Sequence, residues 1–230
     1  MIPLWDSHKA KRGGGVTSLL VTMNLLVFAG ETGLALFDPT GLEALFNQFA
    51  LVPSRWIQSW QTWRGWVPVF TAMFLHGSFM HVLGNMLFLR VFGRSLEDHL
   101  GSFVFLMLYL ITGVGAAGAQ VLADSGSAVP MIGASGAISG VLGAYLLLLP
   151  TRWIVALVPW IVPIVPIPAL LFLAIWFAVQ LTNGLGSLGA APAGGVAWWA
   201  HAGGFVAGMV MAAMLRRDGS AKSRRGRRKD

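Results

Sequence analysis

The 230-residue chain contains no cysteine and few charged residues. The absence of cysteine excludes disulfide bonds and thiol chemistry. Charged residues make up 11% of the sequence, and none of the nine acidic residues lies between positions 125 and 217. Any chemistry in that stretch must therefore proceed without carboxylates, which disfavours carboxylate-based metal sites and proton pathways there.

Apolar residues dominate what remains. Hydrophobic residues make up 56% of the chain, and the mean hydropathy is +0.70. This composition excludes a water-soluble fold and predicts an all-α polytopic membrane protein with one domain. A helix needs about 20 mainly apolar residues to cross a bilayer. Six such segments are predicted: 16–37, 71–93, 101–122, 135–150, 166–182 and 197–215. Residues 16–215 would form the membrane domain, between a short tail, 1–15, and a basic tail, 216–230.

The basic residues predict the orientation of the chain. With this helix assignment, all but two of the 16 lysines and arginines fall on one side, including Arg90 and Arg94 around an expected turn after the second helix. Lysine and arginine accumulate in cytoplasmic loops, so both termini are expected in the cytoplasm. The basic tail is interpreted as a topology signal attracted to anionic lipid headgroups, and no nucleic-acid partner is expected.

Polar side chains at membrane depth are few, and such residues mark functional sites by default. They occur in three of the six predicted helices, and within two of these helices they are spaced four residues apart, so that each pair shares a face. The residues are His81 and Asn85 in the second helix, Ser135 and Ser139 in the fourth, and His201 in the sixth.

Taken singly, these residues also suit a structural role, because serine packs between helices and asparagine joins them. Together they favour acyl transfer, in which Ser135 would be the nucleophile and His201 the base. His81, Asn85 and the Ser135 amide could donate hydrogen bonds to an oxyanion. Gly133 and Gly136 would allow close backbone approach. No acidic residue is available as a third member, apart from Glu31 in the first helix, so a Ser-His dyad is the simpler interpretation.

Three short motifs carry a resemblance to a known family. "GASG" around Ser135, "HVLGN" from His81 to Asn85 and "AHAGGFVAG" around His201 are similar to the motifs of the rhomboid intramembrane serine proteases. The resemblance implies a six-helix rhomboid-like bundle and the same roles for Ser135, His201, His81 and Asn85. It also implies that Gly204 and Gly208 pack the sixth helix against the fourth, and that the enzyme needs neither metal nor cofactor.

The implied reaction is hydrolysis of a peptide bond in or near a transmembrane segment of a substrate protein. A helix hides its carbonyls in its own hydrogen bonds, so a cleavable segment is expected to unwind locally. The alternative within the family is a catalytically silent relative that binds transmembrane segments. A transporter with a histidine relay through His76, His81 and His201 is a further alternative. A prokaryotic plasma membrane is the expected location.

The sequence departs from the family pattern at one position of the fourth helix. Some members have an aromatic residue one turn after the nucleophile, which stacks on the histidine, whereas this chain has Ser139. What orients His201 is therefore open, and Ser139 is a rival nucleophile.

Two connecting segments also carry expectations. Trp56, Trp60 and Trp63 are spaced as if on one face of an interfacial helix, and Trp63 with Arg64 is a candidate for the Trp-Arg pair of the family's first external loop. The glycine-rich segment 183–195 is expected to form a movable cap over Ser135 and His201.

Overall fold

A computed structural model describes residues 1–7, 14–158, 162–187 and 196–226. The described chain is mainly helical, with one small sheet. The elements in chain order are β1 Ile2–Asp6, α1 Gly15–Phe37, α2 Pro39–Phe49, α3 Pro53–Ser59, α4 Trp63–Thr71, α5 Phe79–Phe88, α6 Arg94–Leu100, α7 Ser102–Ala123, α8 Ser135–Leu148, β2 Trp153–Val158, β3 Val162–Pro168, α9 Ala169–Gly186 and α10 Trp198–Gly226.

Five of the six predicted helices are confirmed to within a few residues at their starts. They correspond to α1, α7, α8, α9 and α10, and α10 continues past the predicted end to Gly226. Helix α8 lies at the centre, since every residue from Ala137 to Tyr145 is buried. Helices α5, α6, α7, α9 and α10 pack against it.

The predicted bounds of the second helix, 71–93, are wrong. A single 3₁₀ turn, Ala72–Phe74, follows α4, and the backbone is extended at Leu75 and Ser78. The Ser78 side chain accepts a hydrogen bond from the His81 amide and so caps α5, which sets the start of that helix. Helical structure then runs without a turn through a π-helical segment, Leu89–Gly93, into α6. Arg90 and Arg94 therefore lie within helix, and the chain turns at Gly101, whose φ is 82°.

Four helices of the described chain are long and apolar enough to cross a membrane: Gly15–Phe37, Ser102–Ala123, Ala169–Gly186 and Trp198–Arg216. A fifth span is possible if Trp63–Phe74 and Phe79–Leu100 are counted together, although these two segments meet at an angle of 86°. Helix α8 is apolar but has only 14 residues. The protein is an integral membrane protein, and the count of six spans stays a prediction.

A small antiparallel sheet corrects the purely helical prediction. Its strand order is β1-β2-β3, with Pro3 opposite Ala156 and Val155 opposite Pro166. Asp6 in β1 accepts hydrogen bonds from Tyr145 Oη, at 2.7 Å, and from Arg152, at 3.1 Å. The expected tail 1–15 thus begins with a strand that is joined to the C-terminal end of α8.

The connection between α1 and α5 is helical as well, and it breaks the predicted row of tryptophans. Helix α3 ends at Ser59, whereas Trp63 begins α4, because Thr62 caps that helix by accepting a hydrogen bond from Gly65. Trp60 and Trp63 are exposed, while Trp56 is half-buried and meets Trp66 edge to face. The prediction of one continuous face is wrong, since the three rings do not share a helix.

One buried carboxylate joins α1, α6 and α7. The Glu97 side chain accepts hydrogen bonds from the amides of Val16 and Thr17 at the start of α1, and from the hydroxyls of Thr17 and Ser102, all between 2.7 and 2.9 Å. The first amides of a helix have no partner within it, and they favour negative charge. Glu97 therefore satisfies the N-terminus of α1 and ties it to the start of α7.

Glycines bring α8 and α10 into backbone contact. A Cβ on Gly204 would collide with the Gly136 carbonyl oxygen, and a Cβ on Gly208 would collide with that of Gly140. Small residues permit such approach between membrane helices, where lipid gives no hydrophobic drive for association. In the described backbone, α10 packs on α8 at these glycines.

We predict that Gly208→Ala destabilises the protein, because the added methyl group must displace the backbone of α8. Overpacking of this kind costs about 1–3 kcal/mol. Gly118→Ala in α7 is the matched control, since nothing lies within 4 Å of the added Cβ. Thermal unfolding in detergent, followed by circular dichroism, is expected to show a lower Tm for Gly208→Ala only. Equal melting temperatures for both variants would contradict close packing at Gly208.

Candidate active site

Ser135 and His201 lie in hydrogen-bond contact. The Ser135 Oγ is 2.8 Å from the Nε2 of His201. Ser135 is the first residue of α8, and His201 lies in the first turn of α10. The glycine contact between these two helices therefore places the Ser135 hydroxyl and the His201 imidazole at the same end of the bundle.

The second ring nitrogen of His201 is in hydrogen-bond contact with the side-chain amide of Gln180, which is not among the predicted site residues. The Nδ1 of His201 is 2.8 Å from the Oε1 of Gln180 in α9. The indole rings of Trp176 and Trp198 flank the imidazole, with centroids at 6.1 and 6.2 Å. The signal for Gln180 was present, because it is the one amide in the apolar run 169–181 of α9.

Ser139 is buried one turn after Ser135 and does not share this geometry. Its hydroxyl donates to the Ser135 carbonyl oxygen at 2.7 Å. This is a common bond for a serine within a helix, since the hydroxyl can reach back four residues. Of the two serines, Ser135 is therefore the one that makes a hydrogen bond to the imidazole.

His81 and Asn85 stand beside the loop that enters α8. Gly133 in that loop has a φ of 115°, and a Cβ built on it would lie 2.7 Å from the His81 Nε2 and 3.5 Å from the Asn85 Nδ2. Only glycine adopts this conformation without strain. The two predicted donor side chains thus lie against the residue two positions before Ser135.

Asn85 is held by a network that begins in α1. The Nδ2 of Asn85 is 2.9 Å from the Nε2 of His76, and the Nδ1 of His76 is 3.2 Å from the Phe74 carbonyl oxygen. That carbonyl can only accept, so His76 carries its proton on Nδ1 and accepts from Asn85 on Nε2. The His76 amide in turn donates to the buried Glu31 carboxylate, at 3.1 and 3.2 Å. Glu31 therefore holds the backbone of His76, which in turn positions Asn85, and among the described hydrogen bonds none joins Glu31 to His201.

These side chains open into one cavity of about 570 Å³. Its polar lining includes His81, Asn85, Ser135, Gln180 and His201, and its apolar lining includes Phe88, Leu142 and Trp176. The cavity lies between α5 on one side and α9 on the other. The dyad and the predicted donor side chains therefore share one cavity with apolar side chains.

Two further predictions concern the connecting segments. The Arg64 guanidinium lies 5.6 Å from the ring centroid of Trp63, on the connection between α1 and α5. The first part of the expected cap, 183–186, is instead the end of helix α9, so Asn183 belongs to that helix. Residues 188–195 lie outside the described residues, and the movement of the cap stays a prediction. Among the described residues, no group of three or more His, Cys, Asp or Glu side chains could hold a metal ion.

Comparisons with known proteins agree with the motifs. A family model described as "Rhomboid domain" matches residues 59–218. "RHOMBOID-like protein 5" from Arabidopsis thaliana is 32% identical over 167 residues, which cover 70% of this chain and 46% of that protein. "Rhomboid-type serine protease 2" from Emericella nidulans is 28% identical over 157 residues, covering 68% of this chain and 28% of that protein.

A bacterial relative matches a shorter stretch. "Putative rhomboid protease YdcA" from Bacillus subtilis is 34% identical over 93 residues, covering 38% of this chain and 43% of that protein. The chain spans less than half the length of each of these three relatives.

Proposed function

Because the chain belongs to the rhomboid family, we propose that it is an intramembrane serine endopeptidase that cleaves transmembrane proteins in or near their membrane-spanning segments. The observation that carries the proposal is the 2.8 Å contact between the Ser135 Oγ and the His201 Nε2. A serine hydroxyl becomes an effective nucleophile when a neighbouring base takes its proton.

In the proposed first step, the Ser135 Oγ attacks the carbonyl carbon of the scissile bond while its proton moves to the His201 Nε2. The tetrahedral intermediate collapses when His201 gives that proton to the leaving amine, which leaves an acyl group on Ser135. Water then attacks the ester with His201 again acting as base. His201 then returns this proton to the Ser135 Oγ as the ester bond breaks, which releases the acid product and regenerates the dyad.

The oxyanion of each intermediate needs donors that are already oriented. Asn85 has two Nδ2 hydrogens, and one is used by His76, so the other is free to point into the cavity. His81 and the Ser135 amide are the further proposed donors. Ser135 begins α8, where the amides have no partner within the helix and the dipole is positive. This position is suited to a developing negative charge.

The membrane topology that we propose has six spans with both termini in the cytoplasm. The pairing of β1 with β2 is consistent with this topology, because it requires the N-terminal residues and the α8–α9 connection to lie on the same side. The distribution of lysine and arginine then assigns that side to the cytoplasm. On the opposite side, Leu51 pairs with Met131 and so joins the α2–α3 and α7–α8 connections. The relatives come from a plant, a fungus and a bacterium and do not single out a membrane, so the prokaryotic plasma membrane stays a prediction.

A silent relative that only binds transmembrane segments is the alternative. The presence of both Ser135 and His201, in hydrogen-bond contact, favours the protease.

Removal of either member of the dyad is expected to abolish cleavage. Ser135→Ala and His201→Ala should each lower the rate by at least about 10³-fold, because the two act as one unit. Ser139→Ala should keep most of the activity, since its hydroxyl contacts only a backbone carbonyl. The rates are measured in detergent on a model transmembrane substrate, and a fluorophosphonate probe reports which serine reacts.

Two outcomes would contradict the proposed dyad or the proposed activity. Cleavage that survives in Ser135→Ala would place the chemistry elsewhere. A wild-type protein that binds the substrate and never cuts it would favour the binding alternative.

Asn85→Ala is expected to reduce kcat by about 10²–10³-fold, which is the usual effect of losing one oxyanion donor. KM should change little, because the donor acts on charge that develops only in the transition state. Asn47→Ala, at an exposed asparagine of α2, is the control. A rise in KM at constant kcat would instead indicate that Asn85 binds the substrate.

Cleavage is expected to depend on how readily the substrate helix unwinds. Replacing glycine by alanine next to the scissile bond stabilises a helix by up to about 1 kcal/mol per residue and should slow cleavage. The same replacement three turns away serves as the control. Rates that are equal for both substrates would exclude unwinding as a requirement.

A further inference from the structure

We propose that Gln180 is a positioning residue, which holds His201 in the tautomer that can accept the proton of Ser135. The inference rests on the proposed function, since His201 acts as a base only if Ser135 reacts. It adds a third member to the Ser-His dyad, an uncharged amide contributed by α9.

The geometry fixes the direction of the hydrogen bond. Gln180 is buried, with 6% of its surface exposed. Its Nε2 donates to the Trp176 carbonyl oxygen at 3.3 Å, and this oxygen can only accept. The amide nitrogen must therefore point toward Trp176, and the Oε1 must face the Nδ1 of His201, at 2.8 Å.

That orientation selects one form of the imidazole. The Oε1 of Gln180 is an acceptor, so the hydrogen of neutral His201 lies on Nδ1. The Nε2 then presents a lone pair to the Ser135 hydroxyl, which is the arrangement that a general base needs. With the hydrogen on Nε2 instead, the ring would have no lone pair directed at Ser135. When His201 takes up the proton, the Nδ1 hydrogen can still donate to Gln180.

Among the described residues, no other contact selects between the two tautomers of His201. Trp176 and Trp198 limit the tilt of the ring, but a flanking indole face does not distinguish one ring nitrogen from the other. Ser139 occupies the position from which an aromatic residue stacks on the histidine in some relatives, and its hydroxyl is bonded to the Ser135 carbonyl. Gln180 thus fills the orienting role that the sequence leaves open.

An amide suits this depth better than a carboxylate. An aspartate facing His201 would place a charge in a buried, low-dielectric position, where desolvation costs much of what the pairing gains. Gln180 provides a directed acceptor without a net charge. Such an acceptor is weaker, so the effect of its loss should be smaller than that of losing a triad aspartate.

The test compares Gln180→Met, which keeps the length of the side chain and removes the acceptor, with Asn183→Leu as the matched control. Asn183 lies one turn away on α9 and also donates to the carbonyl four residues earlier, that of Val179, but it is exposed. Comparison of these two variants therefore separates the loss of the His201 contact from the loss of a hydrogen bond between a side-chain amide and the helix backbone. Gln180→Glu restores an acceptor oxygen at the same reach.

We expect Gln180→Met to lower kcat by about 10- to 100-fold, the size of one lost buried hydrogen bond, with KM little changed. Asn183→Leu should behave as wild type, and Gln180→Glu should recover part of the lost rate. Equal kcat values for Gln180→Met and Asn183→Leu would overturn the proposal.

The tautomer is read directly by NMR of protein labelled with ¹⁵N in its histidine side chains. The His201 signals are identified by their absence from His201→Ala. Wild type should show hydrogen on Nδ1, and Gln180→Met should shift the population toward Nε2. A wild-type ring with hydrogen on Nε2, or a tautomer that does not respond to Gln180→Met, would overturn the proposal even if kcat falls.

The NMR measurement needs no substrate. It therefore distinguishes failure of this inference from failure of the proposed protease activity, which would appear as an inactive wild type.

Discussion

The close contact between α8 and α10 is the constraint on which the site depends. Each helix supplies one reacting side chain from its first turn, and the hydroxyl and the imidazole meet only if the two backbones keep one register. Gly204 and Gly208 set that register against the carbonyls of Gly136 and Gly140. Any side chain at these positions would push the helices apart. The glycine packing therefore sets the distance between the Ser135 hydroxyl and the His201 imidazole, although neither group is part of the glycine contact.

Around this contact, the side chains of Asn85, His201 and Ser135 are each hydrogen-bonded to a side chain outside their own helix. One chain of hydrogen bonds runs from α1 through His76 to Asn85, and a second runs from α9 through His201 to Ser135. Buried polar groups are costly when unpaired and rigid when fully paired. The two chains therefore give the cavity oriented donors and an oriented base before any substrate enters.

Much of the fold could be predicted from the sequence, because five of the helices are long apolar runs and Ser135 and His201 lie in short motifs within them. The start of α5 could not be predicted in this way, since hydropathy is continuous across residues 71–93 and the break depends on a cap by Ser78. The sheet was not predicted; β3 contains three prolines, which are rare in strands, yet it is an edge strand, where proline is tolerated. Gln180 was missed because one amide forms no motif, and its partner lies 21 residues away on the next helix.

The sheet at the far end of α8 also bears on the order in which the protein assembles. Asp6 and Tyr145 are 139 residues apart, and β1 can find its partner strand only after Trp153–Val158 have been synthesised. Contacts between such distant segments close late, because the intervening chain must be ordered first. Strand β1 therefore has no partner strand until the helices from α1 to α8 have been synthesised, and closure of the sheet ties the C-terminal end of the helix that carries Ser135 to the start of the chain.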